Sequence, residues 1–439
     1  MNMNKKVSFT ALFLIVSLIF TMTSGFVFPV SAQKKQVSLT AIVAEPKERW
    51  DLLFNTALQK LKQKHPELDI KLDYRVLPYD ATRTQILTAM AGKTPIDLIS
   101  ADQIWLGEFA QGGFLTDLSD RAKTWGRQSD WYQTNWDGGK YNGKVYGIWA
   151  WTDIRSMWYW KDLLNKAGVN PESLQTWDGY LAGSKALNAL KAQGIQPMHL
   201  VGASHSPDMW YPYLWMLGGE ILKQKSGHPT KGTYWYPSFN STQGVKALGF
   251  LKQQVDAGIK PQVSHFWGQE FADRKFAVML EGSWLLGTFP RDQWPTINHK
   301  VGMLPAFPVP NKNTKSTTMM GGWILSIPQT SQNKDLAWEL LTTMVDPSVL
   351  TPMLQKEGYL PTQKPIGEGP YAVKLNATIP YYKEMISMIP TAHSRPNIPE
   401  YPQIADSIKQ AIDEVYYGMK DPKQALNDAA AKSAKALGW

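Results

Sequence analysis

The residues best suited to chemistry in this chain are tryptophans set beside glycines, with carboxylates nearby. Met319-Met320-Gly321-Gly322-Trp323-Ile324-Leu325-Ser326-Ile327 places two glycines directly before an indole. Glycine lets a backbone bend or approach a partner without a Cβ clash, and the flat ring beside it offers an apolar face to a polar ligand. The same stretch also reads as a β-bulge carrying a core tryptophan. Gly282-Ser283-Trp284 repeats the pairing of permissive backbone and indole. Trp149, Trp151 and Asp153 alternate along an extended segment, so they share one strand face and suit a cleft wall as well as a core. Glu45 and Asp102 each follow a short apolar run, and Asp102 reads equally as the N-cap of a helix opening near Trp105.

The elements that must hold these groups alternate in type. Val37–Val43 reads as a strand, Arg49–Lys64 as a helix with Leu52, Leu53, Leu58 and Leu61 on its apolar face, and Ile70–Val76 as a second strand. A helix from about Thr82 to Ala91 stops at Gly92, and Ile96–Ser100 is a short buried strand. Strand–helix–strand–helix with short connections predicts a parallel α/β sheet, where ligands sit beyond the carboxyl ends of the strands. Glu45 and Asp102 fall at that edge. Further helices are expected over 161–168, 241–257, 334–344, 404–417 and 422–437, with Glu270–Trp284 running helix, turn, strand, loop and a further strand over 300–305.

The chain opens with Lys5 and Lys6, a ten-residue apolar run Ala11–Phe20, and the small residues Val30-Ser31-Ala32. That run is short of the roughly 20 residues a membrane-spanning helix needs, so residues 1–32 read as a cleaved secretory signal, with an uncleaved anchor the alternative because Gly25–Val30 prolongs the apolar character. The formal charge of +9, less the two lysines of that segment, leaves +7 for residues 33–439. No basic stripe concentrates this charge, which speaks against nucleic acid as a partner. With no cysteine in the chain there is no lipid-modified N-terminal Cys, disulfide or thiolate site. The seven histidines lack ligand spacing, so neither a metal nor a cofactor is expected. Gly92-Lys93-Thr94 ends as a P-loop does, but no upstream glycine completes one. About 400 residues exceed one core, and nineteen tryptophans exceed what packing requires.

From Leu77 onward the chain resembles the family 1 extracellular solute-binding proteins of ABC importers, above all their trehalose- and maltose-binding members. The resemblance is carried by Ile96–Leu118 with its Asp102-Gln-Ile-Trp105 core, by Gly143-Lys-Val-Tyr-Gly147, and by Tyr159–Leu164. It continues through Phe276–Trp284, Gly321-Gly-Trp323, Gly358-Tyr-Leu-Pro361 and Arg395-Pro396 with Tyr401. It implies a two-lobed α/β periplasmic-binding-protein fold, type II-like, with a ligand cleft between lobes joined by a hinge the chain crosses three times. The crossings are expected near Ile148–Ser156, Met319–Leu325 and Val345–Leu350. One lobe would then hold 33–148 and 325–346, the other 149–324 and 347–439.

Carried over residue by residue, the resemblance implies a sugar site built from Glu45, Arg83, Asp102, Trp151, Asp153, Trp284, Gly322 (through its backbone), Trp323 and Arg395, and the shared strand face adds Trp149. Aromatic planes cover the C–H faces of a sugar ring, carboxylates accept from pairs of hydroxyls, and arginine donates in a fixed fork. The family further implies a monomer without enzymatic activity, and an exported chain without a lipid anchor points to the periplasm, since a free binding protein would otherwise diffuse away. It would deliver an α-linked disaccharide to permease subunits driven by a cytoplasmic ATPase. Trp149 and Trp158 depart from the family's pattern and leave the sugar open. Two other readings use the same residues. A secreted glycoside hydrolase would need two of Glu45, Asp102 and Asp153 as a catalytic pair. A quaternary ammonium carrier would use the tryptophans as a cation box, which Arg83 and Arg395 oppose.

Overall fold

The computed structural model describes residues 34–439 apart from 202–206, 263–267 and 306, and leaves the side chains of Asp80 and Val201 undescribed. The expected signal segment lies outside the described residues. In chain order the elements used below are β1 (Lys35–Ala44), α1 (Lys47–Lys64), β2 (Leu68–Leu77), α2 (Tyr79–Ala91), β3 (Leu98–Asp102), β4 (Gly147–Trp160) and β5 (Gln196–Met198). They continue with β6 (Phe276–Gly282), β7 (Val301–Leu304), β8 (Met319–Ser326), α3 (Lys334–Met344), α4 (Pro347–Glu357), β9 (Leu360–Pro361), β10 (His393–Ser394), α5 (Tyr401–Tyr416) and α6 (Pro422–Ala436).

The strands form one ladder in the order β2-β1-β3-β8-β4-β6-β5, with β7 and β9 also pairing with β4, and β10 with β8. β1 is parallel to both β2 and β3, and β8 is antiparallel to β3 and to β4. β4 joins the two halves. Residues 147–154 pair with β8, while 155–160 pair with β6 and β7. All fourteen residues of β4 are buried. A strand covered on both faces loses the apolar–polar alternation that would announce its facing, and this one carries Asp153 and Arg155 into the interior. The boundary expected at 324/325 falls inside β8, which runs beside β3 through Trp323–Ser326.

The early elements match the periodicity with adjusted ends. α1 begins at Lys47 and buries Trp50, Leu53, Phe54, Ala57 and Leu61 at helical spacing. Leu52 and Leu58 are only half-buried, because the larger rings of Trp50 and Phe54 fill the seam. α2 starts three residues before Thr82, immediately after Pro78. β3 runs to Asp102, so the carboxylate sits at the strand's end, where Oδ1 also accepts the Ile104 N–H at 3.3 Å. The N-cap reading and the edge reading of Asp102 describe one geometry. Among the described residues no helix is long and apolar enough to cross a membrane.

Candidate functional site

A cavity of about 1060 Å³ opens at the carboxyl ends of β1 and β3 and reaches β4, β8 and the turn that follows β6. That volume is at the upper end for small-molecule sites. Of the ten residues expected in a site, eight line it: Glu45, Arg83, Asp102, Asp153, Trp284, Gly322, Trp323 and Arg395. Glu45 is exposed at the rim, one residue past β1. Arg83 is committed to Glu108 through two parallel bonds, Nε to Oε2 at 2.8 Å and Nη2 to Oε1 at 2.5 Å.

Trp149 and Trp151 are not among the lining residues. Both are core side chains, 1% and 0% exposed. The cause is a break in strand register. Trp323 lies opposite Trp151 and Ile324 opposite Trp149, so Ala150 is the extra residue of a bulge and simple alternation does not apply. The Trp149 indole turns back to donate to the Trp151 carbonyl at 2.9 Å, and Trp151 packs on Trp50 at 5.5 Å and Tyr359 at 6.2 Å between centroids. Gly322, with φ +148°, lies directly over them. A Cβ there would overlap the Trp149 indole nitrogen and the Trp151 carbonyl oxygen.

The floor of the cavity is a chain of alternating charge. Asp153 pairs with Arg155 through a short contact, and Arg155 Nη2 reaches Asp208 Oδ2 at 3.1 Å. Asp208 also meets Arg395 Nη1 at 3.3 Å, and Arg395 Nη2 donates to Asp102 Oδ1 at 2.9 Å. Tyr79 closes the run, its hydroxyl donating to Asp102 Oδ2 at 2.7 Å. Asp102, Asp153, Arg155, Asp208 and Arg395 are all buried. Gly321 leaves room for this: a Cβ there would approach Arg155, Asp153 and Arg395 at 3.0–3.3 Å. Burial tends to lower the Arg395 pKa, but Asp102 and Asp208 more than offset it and hold the guanidinium charged. Burial pushes the Asp153 carboxyl above its ordinary range against the pull of Arg155 and Arg395. Burial, then the Asp102 charge, pushes the Tyr79 phenol well up, so it remains a donor.

Aromatic rings stand on opposite sides of this floor. Trp323 meets Tyr79 and Trp105 edge-on at 6.0 and 6.2 Å, and all three rings line the cavity. Trp284 stands over the Arg155 guanidinium at 4.7 Å. Further along the cavity, Arg49 at the start of α1 donates to the Tyr359 hydroxyl at 3.1 Å and lies 3.6 Å from Glu357. The sequence reading did not select Tyr79, Trp105, Arg155, Asp208, Arg49 or Tyr359. Arg155 stands two residues from Asp153 on the same strand, which is a usable signal. Asp208 lies on a short turn at Pro207–Met209 with no pattern to reveal it. No group of three or more His, Asp or Glu among the described residues could hold a metal ion.

The arrangement suits the holding of a polar solute, with donors and acceptors pre-oriented beneath apolar faces. A family model for the bacterial extracellular solute-binding proteins matches residues 56–378. A binding protein of Brucella abortus is 28% identical over 93% of this chain and 94% of its own length. The galactooligosaccharide-binding protein of Bacillus subtilis is 24% identical, over 92% of this chain and 91% of its own. Among solved structures, an ABC transporter solute-binding protein of Thermotoga lettingae bound to alpha-D-tagatose superposes with a TM-score of 0.77. It is 25% identical, and the match covers 91% of this chain and all of that one. The fold is the α/β periplasmic-binding-protein fold, and the chain belongs to the bacterial extracellular solute-binding protein family, as a binding protein and not an enzyme.

Proposed function

We propose that this chain is the exported capture protein of a carbohydrate ABC importer, taking an α-linked disaccharide such as trehalose or maltose. The observation that carries the reading is the meeting of Trp284, Trp323, Tyr79 and Trp105 over an acid–guanidinium floor in one cavity of about 1060 Å³. Indoles cover the C–H faces of a sugar ring, and carboxylates and guanidinium forks meet its rim of hydroxyls. Hydrogen bonds to charged groups contribute about 1.5–3 kcal/mol each, so a few of them reach the ~8 kcal/mol of a micromolar site before ordering costs. The volume suits more than one ring. Relatives named for oligosaccharides and for tagatose support a sugar cargo.

In this reading 33–148 and 325–346 form one lobe and 149–324 and 347–439 the other, with β4 and β8 carrying the hinge. Closure excludes water and strengthens each polar contact. The closed protein then docks on the permease, and residues 1–32 direct export to the periplasm. The test is a titration of the purified protein with trehalose, maltose and sucrose, followed by tryptophan fluorescence and calorimetry. Saturable micromolar binding of one sugar, lost in Trp323→Ala, is expected. A response to glycine betaine alone would replace the cargo, and release of free glucose would overturn the carrier reading.

A further inference from the structure

The charge pattern of the cavity narrows the class of solute, on the condition that the cargo is a carbohydrate. Every arginine in the lining is already matched to a carboxylate. Arg83 is held by Glu108, Arg49 by Glu357, Arg155 by Asp153 and Asp208, and Arg395 by Asp208 and Asp102. On the floor three carboxylates face two guanidiniums, an excess of one negative charge in a buried run. The two undescribed internal segments, 202–206 and 263–267, contain no Asp, Glu, Lys or Arg, and their one histidine each, His205 and His265, is counted as neutral.

We propose that the cleft selects by charge: it accepts sugars without ionised groups and rejects those bearing a carboxylate or a phosphate. An uncharged ring meets the floor through hydroxyls, which donate to Asp oxygens and accept from guanidinium N–H groups without disturbing any internal pair. An anion has no such option. To reach a guanidinium it must displace a carboxylate that would then be buried without a partner, or else sit beside Asp102, Asp153 or Asp208 with like charges in contact. Both are costly where the dielectric is low. Specificity here comes from repulsion as much as attraction. The two lysines of the lining do not reverse this: Lys47 is paired with Asp51 on the exposed side of α1, and Lys409 shares the lining with Asp406, three residues before it on α5.

The test compares each of trehalose, maltose and sucrose with two of its own derivatives. In one, a primary hydroxymethyl group is oxidised to the carboxylate. In the other, the same carbon carries the neutral carboxamide, nearly equal in size. At pH 7.5 the carboxylate is expected to bind about 100-fold more weakly than the parent, with the carboxamide within about tenfold of it. A carboxylate binding within tenfold of the parent would overturn the inference. Equal weakness of carboxylate and carboxamide would also overturn it, because crowding would then be the cause. Failure of parent and derivatives alike would remove the carbohydrate reading itself, a different result from either.

Discussion

Two pairs of tryptophans lie close to the same strands and serve opposite ends. Trp149 and Trp151 are sealed in the interior, whereas Trp284 and Trp323 remain partly exposed at the cavity. The core pair is tied into the backbone. Trp149 donates to the Trp151 carbonyl, and the Trp149 carbonyl accepts from Trp131 at 2.8 Å and from Thr362 at 2.7 Å. The cleft pair instead packs edge-on or against a guanidinium, leaving ring surface toward the void. Residue type does not separate them, and neither does nearness to the cleft, since Trp151 and Trp323 are direct cross-strand partners. What separates them is one inserted residue, Ala150, and one glycine that lets two backbones close over the buried rings.

The largest test of this contrast is Trp151→Ala. Truncating a fully buried indole among Trp50, Tyr359 and Arg49 leaves a cavity the core cannot refill, at a cost of about 3–5 kcal/mol. Denaturant unfolding should show that loss as a lower midpoint with unchanged slope. A loss under about 1 kcal/mol would mean the ring is not core. Next in size is Gly322→Ala, which joins the two pairs. A side chain there must adopt a disfavoured φ and push into the Trp149 indole, costing about 1–3 kcal/mol. Near-ultraviolet circular dichroism should change with it, because the Trp149 environment must shift. An unaltered spectrum would place the strain elsewhere.

Much of the first half of the fold is legible in the chain itself. Alternating strands and helices from Val37 to Ser100 carry their periods openly, and proline or glycine marks their ends. The cavity edge follows from that topology, which is why Glu45 and Asp102 can be found without a structure. β4 is legible as extended but not as to its facing. With both sides buried there is no polar face to set the phase, and a single-residue bulge then reverses the expected placement of Trp149 and Trp151. The resemblance to sugar-binding proteins located Arg395 and Trp284, but it could not reveal that Asp208 bridges Arg395 and Arg155. That carboxylate stands 53 residues from Arg155 in sequence, on a turn without regular period.

On the cleft side, Trp284→Ala should spare the fold and damage binding. The ring is only partly buried and faces the cavity, so its loss is expected to cost less stability than that of the sealed Trp151. Affinity for the cognate solute should fall at least about tenfold, as a stacking face is lost and Arg155 loses its cation–π partner. Calorimetry set beside denaturant unfolding separates the two effects. A variant that unfolds as readily as Trp151→Ala would erase the distinction between the pairs.

The smallest effect concerns the frame that carries the core pair's neighbours. α1, which supplies Trp50 and Arg49, ends at His65, whose Nε2 lies 2.8 Å from Glu339 on α3. The Glu339 carboxylate raises the His65 pKa above its ordinary 6.5. The folded state therefore holds the proton more tightly than the unfolded chain does. Its contribution is fully present below pH 6.5 and is lost as pH rises through the elevated folded value. Both groups are partly exposed, at 23% and 29%, so solvent screening keeps the contribution under about 1 kcal/mol. His65→Gln should flatten that part of the stability–pH curve while leaving solute affinity and the spectra of the buried tryptophans unchanged. A shift in those spectra would mean that the α1–α3 contact holds Trp50 against Trp151, and that the core pair depends on the ends of its supporting helix as well as on the bulge.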